Sequence, residues 1–189
     1  MLYLTSQSPR RRQLLEQLGA IFTVIDIEVP EVVEPGETPL DYVSRVAHDK
    51  AVAGWQTLSS HDDAAVIAAD TEVVLDDRVY GKPVDAADAC AMLASLSGRE
   101  HQVISVVWLK TAQGAAREVS LTTVRFEPLS TARIEAYVAT GEAFGKAGAY
   151  GIQGRAGAFI EHLSGSYTGV MGLPVFETDR LLRGAGVLR

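Results

Sequence analysis

Residues 6–12 read Ser-Gln-Ser-Pro-Arg-Arg-Arg, and three consecutive cations at the start of a helix call for an anion. Ser8 is a good N-cap and Pro9 a good first helical residue, so Arg10, Arg11 and Arg12 fall in the first turn. The helix dipole already presents positive charge there, and the arginines add to it. A phosphate chain would relieve that repulsion and use both the free N–H groups and the guanidinium forks. Taken alone, the segment fits a solvated basic turn about as well.

Residues 64–71, Ala-Ala-Val-Ile-Ala-Ala-Asp-Thr, close an apolar run on a carboxylate. Burying Asp70 is costly unless it is paired or metal-bound. The ends of core strands are also where α/β folds place ligands; an Asx turn is the plainer alternative. Glu31, in the acidic loop 31–37, could supply a second carboxylate, although by itself it reads as surface charge. Two oxygen ligands with substrate phosphates and water are a usual arrangement for Mg²⁺. Lys50 ends a stripe with Leu40, Val43, Val46 and Ala47 at helical spacing. Spacing alone favours a lysine that snorkels to water there. Lys82 stands between Gly81, which frees the backbone, and Pro83, which restricts it; a turn lysine has the same surroundings. Residues 145–154 are glycine-rich and permit close backbone approach to a ligand, as flexible loops also do. They contain neither GxxxxGK[ST] nor GxGxxG after a strand.

The elements that must position these groups follow from periodicity and punctuation. A strand over 2–5, a helix over 9–18 stopped by Gly19, and a half-buried strand over 22–29 open the chain. Thr38 caps the next helix, with Pro39 at its first position and Asp41 in a capping-box place. A core strand over 64–69 ending in Asp70 precedes a hairpin over 71–80 that turns at Asp76-Asp77. A helix over 86–96 closes at Gly98, and strands over 103–109 and 119–126 are joined through Gly114. Ser130 caps a helix ending at Gly141. Residues 145–157 are irregular, and a strand over 159–163 and a helix over 174–182 complete the chain. Interleaved helices and strands with hairpins predict a single mixed α/β domain over 1–189.

Composition narrows the function. The 189 residues carry a net charge of −7, so the protein as a whole repels nucleic acid and an anionic ligand needs a local cluster of cations. One cysteine, Cys90, excludes an intrachain disulfide and a thiolate metal cluster, which suits a reducing compartment. No signal peptide and no membrane-spanning apolar run are visible, so a cytoplasmic location is expected. The four histidines show no HExxH spacing and no GxSxG elbow is present.

In order along the chain, Ser-x-Ser-Pro-Arg-Arg, Lys50-Ala51, Ala69-Asp70-Thr71, Gly81-Lys82-Pro83, Leu96-Ser97-Gly98, the 145–154 run, Gly165-Ser166-Tyr167 and Gly172-Leu173-Pro174 resemble the Maf-like nucleoside triphosphate pyrophosphatases. Gln7 and Pro30 depart from the family's commoner residues. The resemblance implies a mixed α/β fold like that of the inosine triphosphate pyrophosphatases, with two lobes around a cleft. It implies hydrolysis of a phosphoric anhydride between the α- and β-phosphates, dependence on a divalent cation (Mg²⁺ or Mn²⁺), and a homodimer. It places Asp70 at the catalytic acidic position, the usual proton acceptor, with Glu31 near the metal; a cation bound through Asp70, and Glu31 with it, would polarise the water and phosphates, which leaves Asp70 as base, metal ligand or both. Ser8, Arg11, Lys50 and Lys82 fall at the phosphates. Arg10, Thr71 and Gln153 resemble the subgroup that reads thymine and uracil. A neutral amide both donates to and accepts from a uracil edge, whereas a carboxylate suits the donors of guanine. The expected substrates are therefore dTTP and UTP, with 5-modified pyrimidines also admitted, in a nucleotide-pool house-cleaning role. A purine house-cleaning pyrophosphatase, or an interaction protein that inhibits septum formation, are the alternatives.

Overall fold

Side-chain caps set where the helices begin. In the computed structural model, which describes residues 1–188, Ser8 caps α1 (Pro9–Gln17) and Thr38 caps α2 (Pro39–Gln56). Asp85 caps α3 (Ala86–Leu96) and Ser130 caps α4 (Thr131–Val138). In each case the side-chain oxygen accepts an N–H of the first turn that would otherwise be orphaned. The last helices are α5 (Tyr167–Met171), capped by Ser166, and α6 (Val175–Gly184), which follows Pro174.

Among the described residues, seven strands form one sheet: β1 (Leu2–Leu4), β2 (Phe22–Val24), β3 (Ala65–Leu75), β4 (Arg78–Tyr80), β5 (Glu100–Thr111), β6 (Gly114–Phe126) and β7 (Ile160–Ser164). Their order is β2-β1-β3-β5-β6-β7, with β4 added to β3. The first three are mutually parallel through β1, and the rest pair antiparallel. The β3–β4 turn sets both Asp76 and Asp77 at positive φ, 51° and 58°, the twist a two-residue hairpin needs and one that aspartate tolerates.

β3 is buried on both faces. Ala65, Ile67 and Ala69 pack with Leu4, Leu14 and Leu182 in one cluster. Val73 and Leu75, farther along the same face, belong to a second cluster with Leu93, Phe126 and Tyr137. On the opposite face Val74 packs against Tyr42, Val43 and Val46 of α2. One strand thus carries two lobes on one side and α2 on the other.

Two expectations about the strands that frame the site need correction. The strand expected over 22–29 stops at Val24, because β1 ends at Leu4 and turns into the α1 loop. Ile25 donates to the Leu4 carbonyl at 2.9 Å as the last contact, and the chain beyond it has no strand to pair with. Asp70 does not end its strand: β5 pairs with β3 continuously from Ala65 to Val74, which carries β3 on to Leu75. The short helix α5 was not expected at all; its sequence, Tyr-Thr-Gly-Val-Met, has no run of strong helix formers.

Candidate active site

The site lies where β3 has lost one neighbour. β1 covers its outer edge at Ala65–Ile67, and Thr5 adds a last bond to the Ile67 carbonyl at 3.0 Å. β4 covers the same edge again only from Val73 to Leu75. Between them Asp70, Thr71 and Glu72 are held rigidly by β5 on one side and open on the other. The gap is a cleft of about 380 Å³, within the range of small-molecule sites. All of Ser8, Arg10, Arg11, Glu31, Lys50, Asp70, Thr71, Lys82 and Gln153 line it.

Asp70 and Lys50 make its buried centre. Lys50 is 8% exposed and Asp70 5%, so the lysine does not snorkel to water. Its ammonium donates to Asp70 Oδ1 at 2.7 Å and to Glu31 Oε1 at 2.6 Å. Lys82 reaches the other oxygen of Glu31 at 3.0 Å. The expected stripe of α2 is what delivers Lys50: Val43, Val46 and Ala47 are fully buried, and Lys50 lies one turn on from Val46. Burial alone would raise the Glu31 carboxyl, but the hydrogen bonds and charge of Lys50, then of Lys82, outweigh it and hold the group at about 2.

Glu72, which sequence reasoning passed over, is a third carboxylate in the cleft. It stands two residues beyond Asp70, so both side chains leave the same face of β3. Burial first, then the charges of Asp70 and Glu31, push its carboxyl up to about 8. A polar residue recurring at period two within an apolar strand was the available signal. Asp26 and Glu28, in the segment wrongly expected as strand, also face the cleft, as does Lys146.

The arginine turn forms a second wall. Arg11 donates to the Gly172 carbonyl at 2.8 Å and to Ser6 Oγ at 3.4 Å, and Arg10 to the Met171 carbonyl at 3.3 Å. Neither forms an ion pair among the described residues, so their charge is left for a ligand. Burial lowers the pKa of Arg11 while Asp70, Glu31 and Glu72 act to raise it; burial and then Arg11 lower that of Arg10. Ser8 accepts the Arg11 amide at 3.5 Å, its capping role.

The third wall is the glycine-rich segment. Gly148, at φ +66°, sits so close to Val73 that an added Cβ would lie 2.8 Å from its Cγ2. Its N–H donates to the Gly81 carbonyl at 3.1 Å, tying this loop to the turn that carries Lys82. Gln153 is exposed at the cleft. Thr71 leaves the opposite face of β3 from Asp70 and shares a 2.7 Å hydrogen bond with Ser105, which donates to the Gly169 carbonyl.

The donors gathered here are oxygens, with no thiol or imidazole lining the cleft. Among the described residues no three acidic, imidazole or thiol groups converge tightly enough to hold a metal unaided. Within the cleft, Glu72 Oε2 is buried with no hydrogen-bond partner among the described residues. That set fits a hard divalent cation that takes one or two carboxylates and completes its shell with phosphate and water. Chemically the cleft offers a base beside a buried ammonium and a row of cations able to receive a polyphosphate.

A family model described as Maf-like protein matches residues 1–185. The chain is 54% identical over 188 residues to a protein of Xanthomonas campestris pv. campestris named dTTP/UTP pyrophosphatase, covering 98% of this chain and 99% of that one. A protein of Bordetella pertussis with the same name is 53% identical over 192 residues, covering 98% and 93%. Among solved structures, the Staphylococcus aureus Ham1 protein matches with a TM-score of 0.48 and 16% identity, over 66% of this chain and 71% of that one. Among the described residues no helix is long and apolar enough to cross a membrane.

Proposed function

The chain belongs to the Maf-like family, and from that footing we propose that it hydrolyses dTTP and UTP to the monophosphate and pyrophosphate, clearing the nucleotide pool. The observation that carries the reading is the Lys50 ammonium bridging Asp70 and Glu31 on the open edge of β3. The names of relatives more than half identical over the whole chain support the pyrimidine substrates.

Lys50, Lys82 and Arg11 converge where a triphosphate would lie, and they offset charge that builds on the departing pyrophosphate. Asp70 accepts a proton from the attacking water. The new P–O bond forms as the bridging P–O bond between the α- and β-phosphates breaks, and that electron pair leaves on pyrophosphate. Lys50 fixes one oxygen of Asp70 and leaves the other for the water. Gln153 offers both a donor and an acceptor to the base edge, and Arg10 lines the same cleft. A divalent cation, Mg²⁺ or Mn²⁺, would be held through Asp70, with Glu31 near it, and would supply Lewis acidity toward the phosphate oxygens. The net charge of −7 supports a free nucleotide rather than a nucleic acid as ligand. The homodimer implied by family resemblance belongs to the same reading, and sedimentation at twice the monomer mass is its test.

Pyrophosphate release from a panel of nucleotides, with and without chelator, tests the proposal. Preference for dTTP and UTP is expected. Faster hydrolysis of 7-methyl-GTP or ITP would overturn the specificity, and the absence of turnover on every triphosphate would overturn the reaction.

A further inference from the structure

Glu72 is 7% exposed and lines the cleft, yet among the described residues its Oε2 has no hydrogen-bond partner. The lysines nearby are engaged elsewhere: Lys50 bonds Asp70 and Glu31, and Lys82 bonds Glu31. A carboxyl group kept buried with an oxygen unpartnered costs free energy, and apart from Asp70 this face of the strand carries only alanine and valine. A local rule broken in a cleft marks a group that serves a ligand. Because Asp70 and Glu72 alternate on one face of a rigid strand, their oxygens address the same space beneath α2. Glu31 is the less available of the three acids, since each of its oxygens is already taken by a lysine.

We infer that Glu72 joins Asp70 in holding the divalent cation of this cleft, so that the two carboxylates supply the protein's share of the metal's shell and water and phosphate supply the rest. This assignment rests on the metal dependence proposed above. It also gives the unpartnered oxygen a role that no hydrogen bond within the protein fulfils.

Mn²⁺ titrated into the protein, followed by calorimetry and by the electron paramagnetic resonance of free Mn²⁺, reads the site without turnover. Wild type is compared with Glu72→Gln and Glu72→Ala, each with and without a dTTP analogue whose α–β bridge resists hydrolysis. The expected result is an Mn²⁺ Kd about tenfold or more weaker in both variants, because ligand charge sets affinity at such sites. Glu72→Gln keeps the side-chain volume and breaks no hydrogen bond at Oε2, so a thermal melt of the metal-free protein is expected to show this variant folded. Variants that bind Mn²⁺ within about twofold of wild type would overturn the role of Glu72 and leave the metal site standing. Wild type that binds no Mn²⁺ even with the analogue present would overturn the metal reading and this assignment together.

Discussion

At the scale of single residues, the Asp70–Lys50 pair is where chemistry and stability can be separated. Asp70→Asn keeps the volume and removes the basicity. Lys50 retains Glu31 as an ion-pair partner at 2.6 Å, so the variant is expected to fold. Its turnover should fall by about two orders of magnitude or more, the usual cost of losing a general base; circular dichroism and pyrophosphate release together check this. Near-normal turnover in the folded variant would mean that another carboxylate takes the proton. Gln153 acts at the other end of the nucleotide. Gln153→Glu removes the amide donor while leaving the exposed turn intact, so the ratio of kcat/KM for UTP to that for GTP should fall by about tenfold, the scale set by one unpaired polar group. An unchanged ratio would assign Gln153 to its loop alone.

At the scale of elements, the site depends on how far each strand runs. β1 leaves β3 after Ile67 and β4 returns at Val73, and the interval is the cleft. The glycine-rich segment closes that interval through Gly148, which packs on Val73 and donates to Gly81. Gly148→Ala would combine positive φ with a Cβ against Val73, a strain of about 1–3 kcal/mol. The melting temperature should drop by several degrees and the KM for dTTP should rise as the Lys82 turn shifts. A rise in KM without any loss of stability would show that the strain had been absorbed elsewhere. β5 contributes a different device: His101, 2% exposed, bonds Tyr150 at 2.8 Å and stacks edge-on to Phe126. Burial lowers its pKa to about 4. The unfolded chain protonates this histidine near its ordinary value of about 6.5, so unfolding takes up a proton between those limits. Its contribution to stability is therefore complete above about pH 6.5 and is lost as pH falls toward 4, by roughly 3 kcal/mol in total. Denaturant titrations across that window should show the slope in wild type and a flatter one in His101→Gln, which removes the titrating ring. Equal slopes would place the acid sensitivity on other groups.

Over the whole molecule, a net charge of −7 coexists with a cleft rich in cations, so attraction of a triphosphate is local rather than global. The Glu31 and Asp70 carboxylates work against that attraction until a divalent cation offsets them. Removing metal should therefore abolish turnover, by at least about two orders of magnitude, and added Mg²⁺ or Mn²⁺ should restore it. Full activity in chelator, with metal loss verified by elemental analysis, would contradict the role given to the carboxylates.

The sequence by itself determined the parts whose causes are local. Helix starts followed from Ser8, Thr38 and Ser130, whose side chains cap amides three residues away. The hairpin at Asp76-Asp77 and the apolar stripe leading to Lys50 are likewise short-range patterns, and the ordered motifs carried the family. Tertiary structure decided the rest, because the contacts that make the site join distant residues. Lys50 meets Asp70 across 20 positions and Lys82 meets Glu31 across 51, and no periodicity states whether an ammonium ends in water or between two carboxylates. The truncation of β2 and the extension of β3 beyond Asp70 depended on which partner strand was present, since a strand persists only while its N–H and C=O groups are paired. Glu72 became a candidate only once the fold showed it buried, facing the cleft and without a partner.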